Sequence, residues 1–184
     1  SGAIPIFYIQ GKKPLYTNRI SVELNQLLIS DFIHLSSYYL PFEYLELKAM
    51  TNNSINIDYD KPTTIGDITF QFKNAGHIPG STQTLIEAEG KRILFTGDFN
   101  LIETQLLPGA AMNYGDLDAV IIESTYANEE HTPRKELEKH FVDEVTDVVE
   151  KGGTALIPAF GVGRSQELAC VLAAHHFEHP VYLD

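Results

Sequence analysis

Cysteine is almost absent: Cys170 is the only one in 184 residues, so no disulfide can close within the chain. It sits in the apolar run Leu168-Ala169-Cys170-Val171-Leu172 and reads as a small core residue. No stretch approaches the roughly 18 uninterrupted apolar residues that a membrane span needs. The first residues lack the basic start and apolar block of a signal peptide. These absences exclude a disulfide scaffold and a membrane-spanning helix, and they lead us to expect a cytoplasmic protein. Internal repeats and low-complexity tracts are also missing. Cationic residues are scarce, with 13 Lys and Arg against 25 Asp and Glu and a formal net charge of -12. That is the wrong sign for a module that holds nucleic acid by general electrostatics.

What is present has an α/β pattern. Thr17 and Asn18 can cap a helix in which Leu24, Leu27, Leu28, Phe32 and Leu35 recur at helical spacing, predicted over 18–37 and broken near Pro41. Residues 51–60, with three asparagines, read as loop. Ile68, Phe70 and Phe72 then alternate as in a half-buried strand, and residues 85–88 and 93–95 flank the hairpin signal Glu89-Gly90-Lys91. The continuous apolar run 119–122 reads as a strand buried on both faces. Thr132-Pro133 opens a helix whose Leu137, Phe141, Val145, Val148 and Val149 form one stripe, ended by Gly152-Gly153. Residues 154–157 read as another buried strand, followed by a glycine loop, a helix to about His176 and a further strand at 181–183. Such an order suggests a parallel unit with right-handed crossovers. A boundary near Asn128 divides the chain into 1–127 and 128–184.

Three polar clusters stand at the ends of the strand-like runs. His77 lies in Gly76-His77-Ile78-Pro79-Gly80-Ser81, where a neutral imidazole on a rigid turn makes a good zinc ligand. Asp98 follows Phe95-Thr96-Gly97, just past a strand, and Glu123 opens Glu123-Ser124-Thr125-Tyr126 after the most apolar run. Each alone has an ordinary structural explanation: a histidine in a glycine turn, an aspartate turning the chain, a carboxylate at the exit of a buried strand. Of the remaining histidines, His175, His176 and His179 include an i,i+4 pair but fall at a helix end before Pro180, where imidazoles meet the helix dipole and solvent; His131 and His140 flank or ride a helix without a suitably spaced second ligand, and His34 lies in the first helix. Gly161-Val162-Gly163 is not a dinucleotide fingerprint, because Gln166 occupies the third glycine position.

Together the clusters and the run from Ile157 through Pro158-Ala159-Phe160-Gly161-Val162-Gly163-Arg164-Ser165-Gln166-Glu167-Leu168 resemble the metallo-β-lactamase superfamily. More narrowly they resemble its β-CASP branch, which includes the endonuclease subunit of the cleavage and polyadenylation specificity factor and RNase J. The resemblance implies part of a metallo-β-lactamase αββα sandwich followed by the start of a β-CASP α/β domain. It implies zinc-dependent hydrolysis of RNA, with His77 a ligand of one zinc, Asp98 the carboxylate bridging two zinc ions, and Glu123 a catalytic acid acting through a histidine. Arg164 and Ser165, on the glycine loop at a helix N-terminus, are the expected substrate-binding residues, holding the phosphates of single-stranded RNA. An acidic chain is no obstacle here, since bound dications supply positive charge where the phosphate sits.

The family's signature His-x-His-x-Asp-His and its later histidine motifs do not occur in the sequence. The expectation is therefore an excerpt that begins just after that signature, with an incomplete zinc site and little activity alone. Two other readings remain: a non-catalytic scaffold subunit of an RNA-processing complex, and a small-molecule hydrolase of the same superfamily. The first predicts partner subunits, and a homodimer is a further option. The second leaves Glu123-Ser124-Thr125-Tyr126 and the arginine-bearing glycine loop unexplained.

Overall fold

The computed structural model describes residues 2–36 and 39–183. A 3-10 turn, Ile4–Tyr8, precedes strand β1 (Leu15–Thr17) and helix α1 (Arg19–Leu35). Asn18 caps α1, its Oδ1 accepting the Ser21 N–H at 2.8 Å and satisfying one free amide of the first turn. The helix predicted over 18–37 thus forms in its described part; Ser37 lies outside the described residues. Its expected apolar stripe points the other way: Leu27, Leu28, Phe32 and Leu35 are exposed. Ile29, beside that stripe, is buried with Tyr8, Phe42, Leu47 and Met50. Leu47 and Met50 belong to α2 (Tyr44–Asn52), whose start is fixed by the Glu46 carboxylate accepting the Glu43 N–H at 2.8 Å. Burial of such side chains stabilises by about 1.5–3 kcal/mol each, which binds the 3-10 turn, α1 and α2 into one unit. Residues 51–60 hold more than a loop: β2 (Ser54–Asn56) pairs in parallel with β1, Leu15 opposite Ser54. Three residues, two of them polar, leave no alternation to read.

The main sheet has the order β3-β4-β5-β6-β7. Strands β3 (Thr63–Ile65), β4 (Ile68–Asn74), β5 (Thr82–Ala88) and β6 (Lys91–Phe95) form an antiparallel meander, and β7 (Ala119–Ile121) joins parallel to β6. The expected hairpin forms through Glu89 (φ 52) and Gly90 (φ 72), both left-handed. A two-residue turn of that kind matches the twist of its flanking strands. Leu85 and Leu94 face each other across β5 and β6, both buried. The pairings Asn74↔Thr82, Thr84↔Phe95 and Phe95↔Ile121 bring the end of β4, the start of β5 and the ends of β6 and β7 to one edge of the sheet. All three polar clusters leave from that edge. The architecture is α/β, as expected.

Three strand readings need correction. Strand β7 is not buried on both faces: Val120 and Ile121 are exposed, and the strand ends the sheet order, paired with β6 on one side. Residues 154–157 and 181–183 form no strand, and Leu156 and Tyr182 are 93% and 90% exposed. A strand needs a partner for its amides and carbonyls, and these segments have none among the described residues, so the parallel strand–helix–strand unit does not form. Instead α3 (Arg134–Glu150) and α4 (Arg164–Ala174) pack through Val142, Val171 and Leu172, flanked by Phe141 and Phe177. Pro133, not Thr132, occupies the cap position of α3. The inner face of α3 carries Glu138, while Leu137 of the predicted stripe is exposed. No helix among the described residues is long and apolar enough to cross a membrane.

Burial pushes the Glu138 carboxyl up, but hydrogen bonds from Arg134 and Gln105, the Arg134 charge and His175 outweigh it and hold the group below the ordinary glutamate range. A lowered folded pKa contributes stability that is present above the unfolded value, about 4.3, and lost as pH falls through the folded one. Urea melts of Glu138→Gln are therefore expected to lose less stability than the parent between about pH 6 and about pH 3.5. Equal pH dependence in the two proteins would contradict this.

Candidate functional site

The turn carrying His77 is held from both sides. Asn74 Oδ1 accepts the Gly76 N–H at 3.0 Å while its Nδ2 donates to the Gly109 carbonyl at 3.1 Å. Ser81 Oγ accepts the His77 N–H at 3.1 Å and the Ile78 N–H at 3.3 Å. The Gly80 carbonyl takes Asn18 Nδ2 at 2.6 Å and Ser21 Oγ at 2.8 Å, which ties the turn to the start of α1. Two glycines are needed for this path. Gly76 has φ 68, and a Cβ there would meet the Asn100 carbonyl oxygen at 2.5 Å and the Ala110 nitrogen at 2.7 Å. Gly80 has φ 81, with Ser21 Oγ at 3.0 Å from the corresponding point.

Asp98 is placed by the exit of β6. The Thr96 N–H donates to the Ile121 carbonyl at 3.0 Å, Thr96 is buried, and Gly97 turns the chain with φ 57. The outcome is that His77 Nε2 and Asp98 Oδ2 stand 3.9 Å apart with their side chains 45% and 75% exposed. That is too long for a hydrogen bond and close to the roughly 3.4 Å between two ligand atoms on one tetrahedral zinc. Two good donor atoms thus sit side by side, open to solvent, with rigid backbone behind both.

Glu123 follows β7 and so leaves the same sheet edge as Asp98. Its Oε2 accepts the Thr125 N–H at 2.7 Å, closing the turn after the strand. No hydrogen bond or ion pair joins it to His77 or Asp98 among the described residues. The glycine loop of α4 does reach the His77 turn. A Cβ on Gly163 (φ 82) would meet Ile78 Cγ2 at 2.8 Å, so the Gly163 backbone lies directly on the residue after His77. Arg164 is the exposed first residue of α4. Ser165 Oγ donates to the Phe160 carbonyl at 2.7 Å, and Gln166 Oε1 accepts the Gly163 N–H at 2.7 Å, so both side chains hold the loop in shape. The supporting roles of Ser21, Asn74 and Ser81, and the tie from the cap residue Asn18 to Gly80, were not read from the sequence. Asn18 and Ser21 lie about 60 residues from the turn they hold, so no local pattern marks them.

No family model matches the chain. Individual proteins do. An RNase aCSPSF2 of Saccharolobus solfataricus is 39% identical over 185 residues, covering all of this chain and 38% of that protein. A probable RNase MJ4 of Methanocaldococcus jannaschii is 35% identical over 191 residues, all of this chain and 45% of that protein. Subunit 3 of the cleavage and polyadenylation specificity factor of Dictyostelium discoideum is 36% identical over 158 residues, 84% of this chain and 20% of that protein. The chain belongs to the β-CASP branch of the metallo-β-lactamase superfamily. It spans less than half the length of these relatives.

Membership of the β-CASP branch implies metal ions. His77 and Asp98 fit that role as an imidazole and a carboxylate set at near-ligand spacing. They are not a full donor set, since no group of three His, Cys, Asp or Glu side chains that could hold a metal exists among the described residues. A structural zinc takes four ligands and a catalytic one usually three from protein.

Proposed function

We propose that the whole protein is a zinc-dependent ribonuclease and that this chain supplies His77 and Asp98 to its metal site. The carrying observation is the placement of those two side chains 3.9 Å apart at the sheet edge from which Glu123 also departs. Bound zinc would supply Lewis acidity, lowering the pKa of water and offsetting phosphate charge. The chain's own residues do the rest. Ser81 and Gly76 fix the backbone so that His77 presents Nε2, and Gly97 turns Asp98 outward beside it. Glu123 holds the turn after β7 and orients the chain beyond it. The Gly163 backbone seats on Ile78, bringing Arg164 to the same region, where a guanidinium can take a phosphate oxygen. Ser165 shapes the turn that presents it. In an acidic chain this sets one positive charge where the backbone of single-stranded RNA would lie. The relatives named as ribonucleases support RNA over a small-molecule substrate.

In this reading residues 1–127 belong to the metallo-β-lactamase domain and 128–184 begin the β-CASP domain. The same reading has it act in the cytoplasm, with a second copy or within an RNA-processing assembly. The short donor set is equally what a non-catalytic scaffold would show, and one experiment separates the two. The whole protein, incubated with end-labelled single-stranded RNA, is expected to cleave it, to stop on addition of a chelator and to resume with zinc. RNA bound but never cleaved under any metal would favour the scaffold. In the same assay Arg164→Ala is expected to weaken RNA binding and reduce the salt slope by about 1; unchanged affinity would remove Arg164 from the interface.

A further inference from the structure

Away from the His77–Asp98 pair lies a second charged cluster, almost closed to water. Glu138 on α3 and Glu167 on α4 are 7% and 5% exposed. Buried carboxylates are costly unless paired and hydrogen-bonded. Both meet one guanidinium: Arg134 Nε donates to Glu138 Oε1 at 2.6 Å and Nη2 donates to Glu167. The other partners come from the segment beyond Asp98. The Gln105 N–H donates to Glu167 Oε1 at 3.0 Å, the Leu106 N–H to Oε2 at 2.8 Å, and Gln105 Nε2 to Glu138 Oε2 at 2.9 Å. His175 Nε2 stands 3.6 Å from Glu138 Oε2.

The cluster therefore joins α3 and α4 to the chain behind Asp98. That chain is itself anchored next to His77, since the Asn100 N–H donates to the Ala75 carbonyl at 2.9 Å and the Asn100 carbonyl accepts the Ala110 N–H at 2.8 Å. Helix α4 already touches the His77 turn at Gly163, a contact of one backbone on one side chain. A single contact is a pivot. Glu167, one turn into α4, supplies a second attachment and removes the rotation. Arg164 lies between the two.

We propose that Glu167 is a positioning residue: its carboxylate, set by Arg134, clamps α4 to the Gln105–Leu106 backbone and so fixes Arg164 relative to the His77–Asp98 pair. The proposal rests on reading that pair and Arg164 as the reacting site. Glu167→Gln keeps the shape but places an amide against groups that all donate. The test uses the whole protein with two readouts.

The first is independent of activity: spin labels on Asp67→Cys and Ala174→Cys, in a Cys170→Ala background, report the distance between the far end of the sheet and the end of α4. One narrow distance is expected in the parent and a broadened distribution in Glu167→Gln. The second is kinetic: kcat/KM for RNA is expected to fall about 100-fold, the scale of a small misplacement of reacting groups, with KM raised as Arg164 leaves its place and zinc content unchanged. Gln105→Ala, which removes only the side-chain tie to Glu138, is expected to shift both readouts in the same direction by less. It serves if Glu167→Gln does not fold. An unbroadened distance overturns the clamp, and so does a broadened distance with kcat/KM intact. A parent protein that cleaves no RNA sinks the site reading instead, and the distance readout still judges the clamp.

Discussion

Replacing Asp98 with alanine is expected to lower RNA hydrolysis by the whole protein about a thousandfold while leaving the fold intact. The side chain is 75% exposed and stands 3.9 Å from the His77 imidazole, so its removal strips no core contact, and surface changes of this kind stay within about 0.5 kcal/mol. What is lost is a carboxylate in a place where charge matters. Metal-assisted stabilisation of a phosphoryl transition state is worth several kcal/mol; losing about 4 kcal/mol corresponds to the thousandfold at 1.36 kcal/mol per tenfold. On the proposed function the loss should fall on kcat, because Asp98 would hold the metal and not the RNA backbone. Single-turnover cleavage of labelled RNA, beside a thermal melt, checks it. A change of less than about tenfold with unaltered zinc content would remove Asp98 from the site.

Gly76→Ala should do the opposite, costing stability before chemistry. An alanine there adopts a left-handed conformation at about 1–2 kcal/mol. It also drives a methyl group to 2.5 Å from the Asn100 oxygen and 2.7 Å from the Ala110 nitrogen, both backbone atoms in hydrogen bonds of their own. Overpacking adds about 1–3 kcal/mol. We expect about 4 kcal/mol in all, a fall in Tm of roughly 10 °C for a chain of this size. Gly66→Ala is the control: its φ is also positive at 58, but nothing lies within 4 Å of the new carbon. It should lose only the conformational part, about 1 kcal/mol. Equal losses at the two positions would show that close packing against the 100–110 segment contributes nothing.

The site was more legible in the sequence than its surroundings, for a physical reason. Local chemistry writes itself locally: Asn18 as a cap, Glu89-Gly90 as a two-residue turn, and the glycines around His77 and before Asp98 all act within a few residues. Burial does not. The runs at 119–122, 154–157 and 181–183 state a preference for an apolar environment, but a facing surface decides whether it is met, and β7 has a neighbour on one side only. Glu138 shows the same gap in reverse. Arg134 and Glu138 are four apart, a spacing that usually marks a solvated helix pair. Their burial depends on Glu167 and Gln105, 29 and 33 residues away. Helix α1 repeats the point, since its leucine stripe was plain in the sequence and its buried residue is Ile29, which is not part of that stripe.

The turn between β5 and β6 has a practical side. Glu89 and Gly90 sit at the end of the sheet opposite the three polar clusters, and nothing lies within 4 Å of a side chain added at Gly90. Termini are not needed as attachment points: a short affinity peptide or a fluorophore can be inserted there, as tolerated insertions concentrate at exposed loop tips. A handle in that position immobilises the protein with its chemistry facing away from the support.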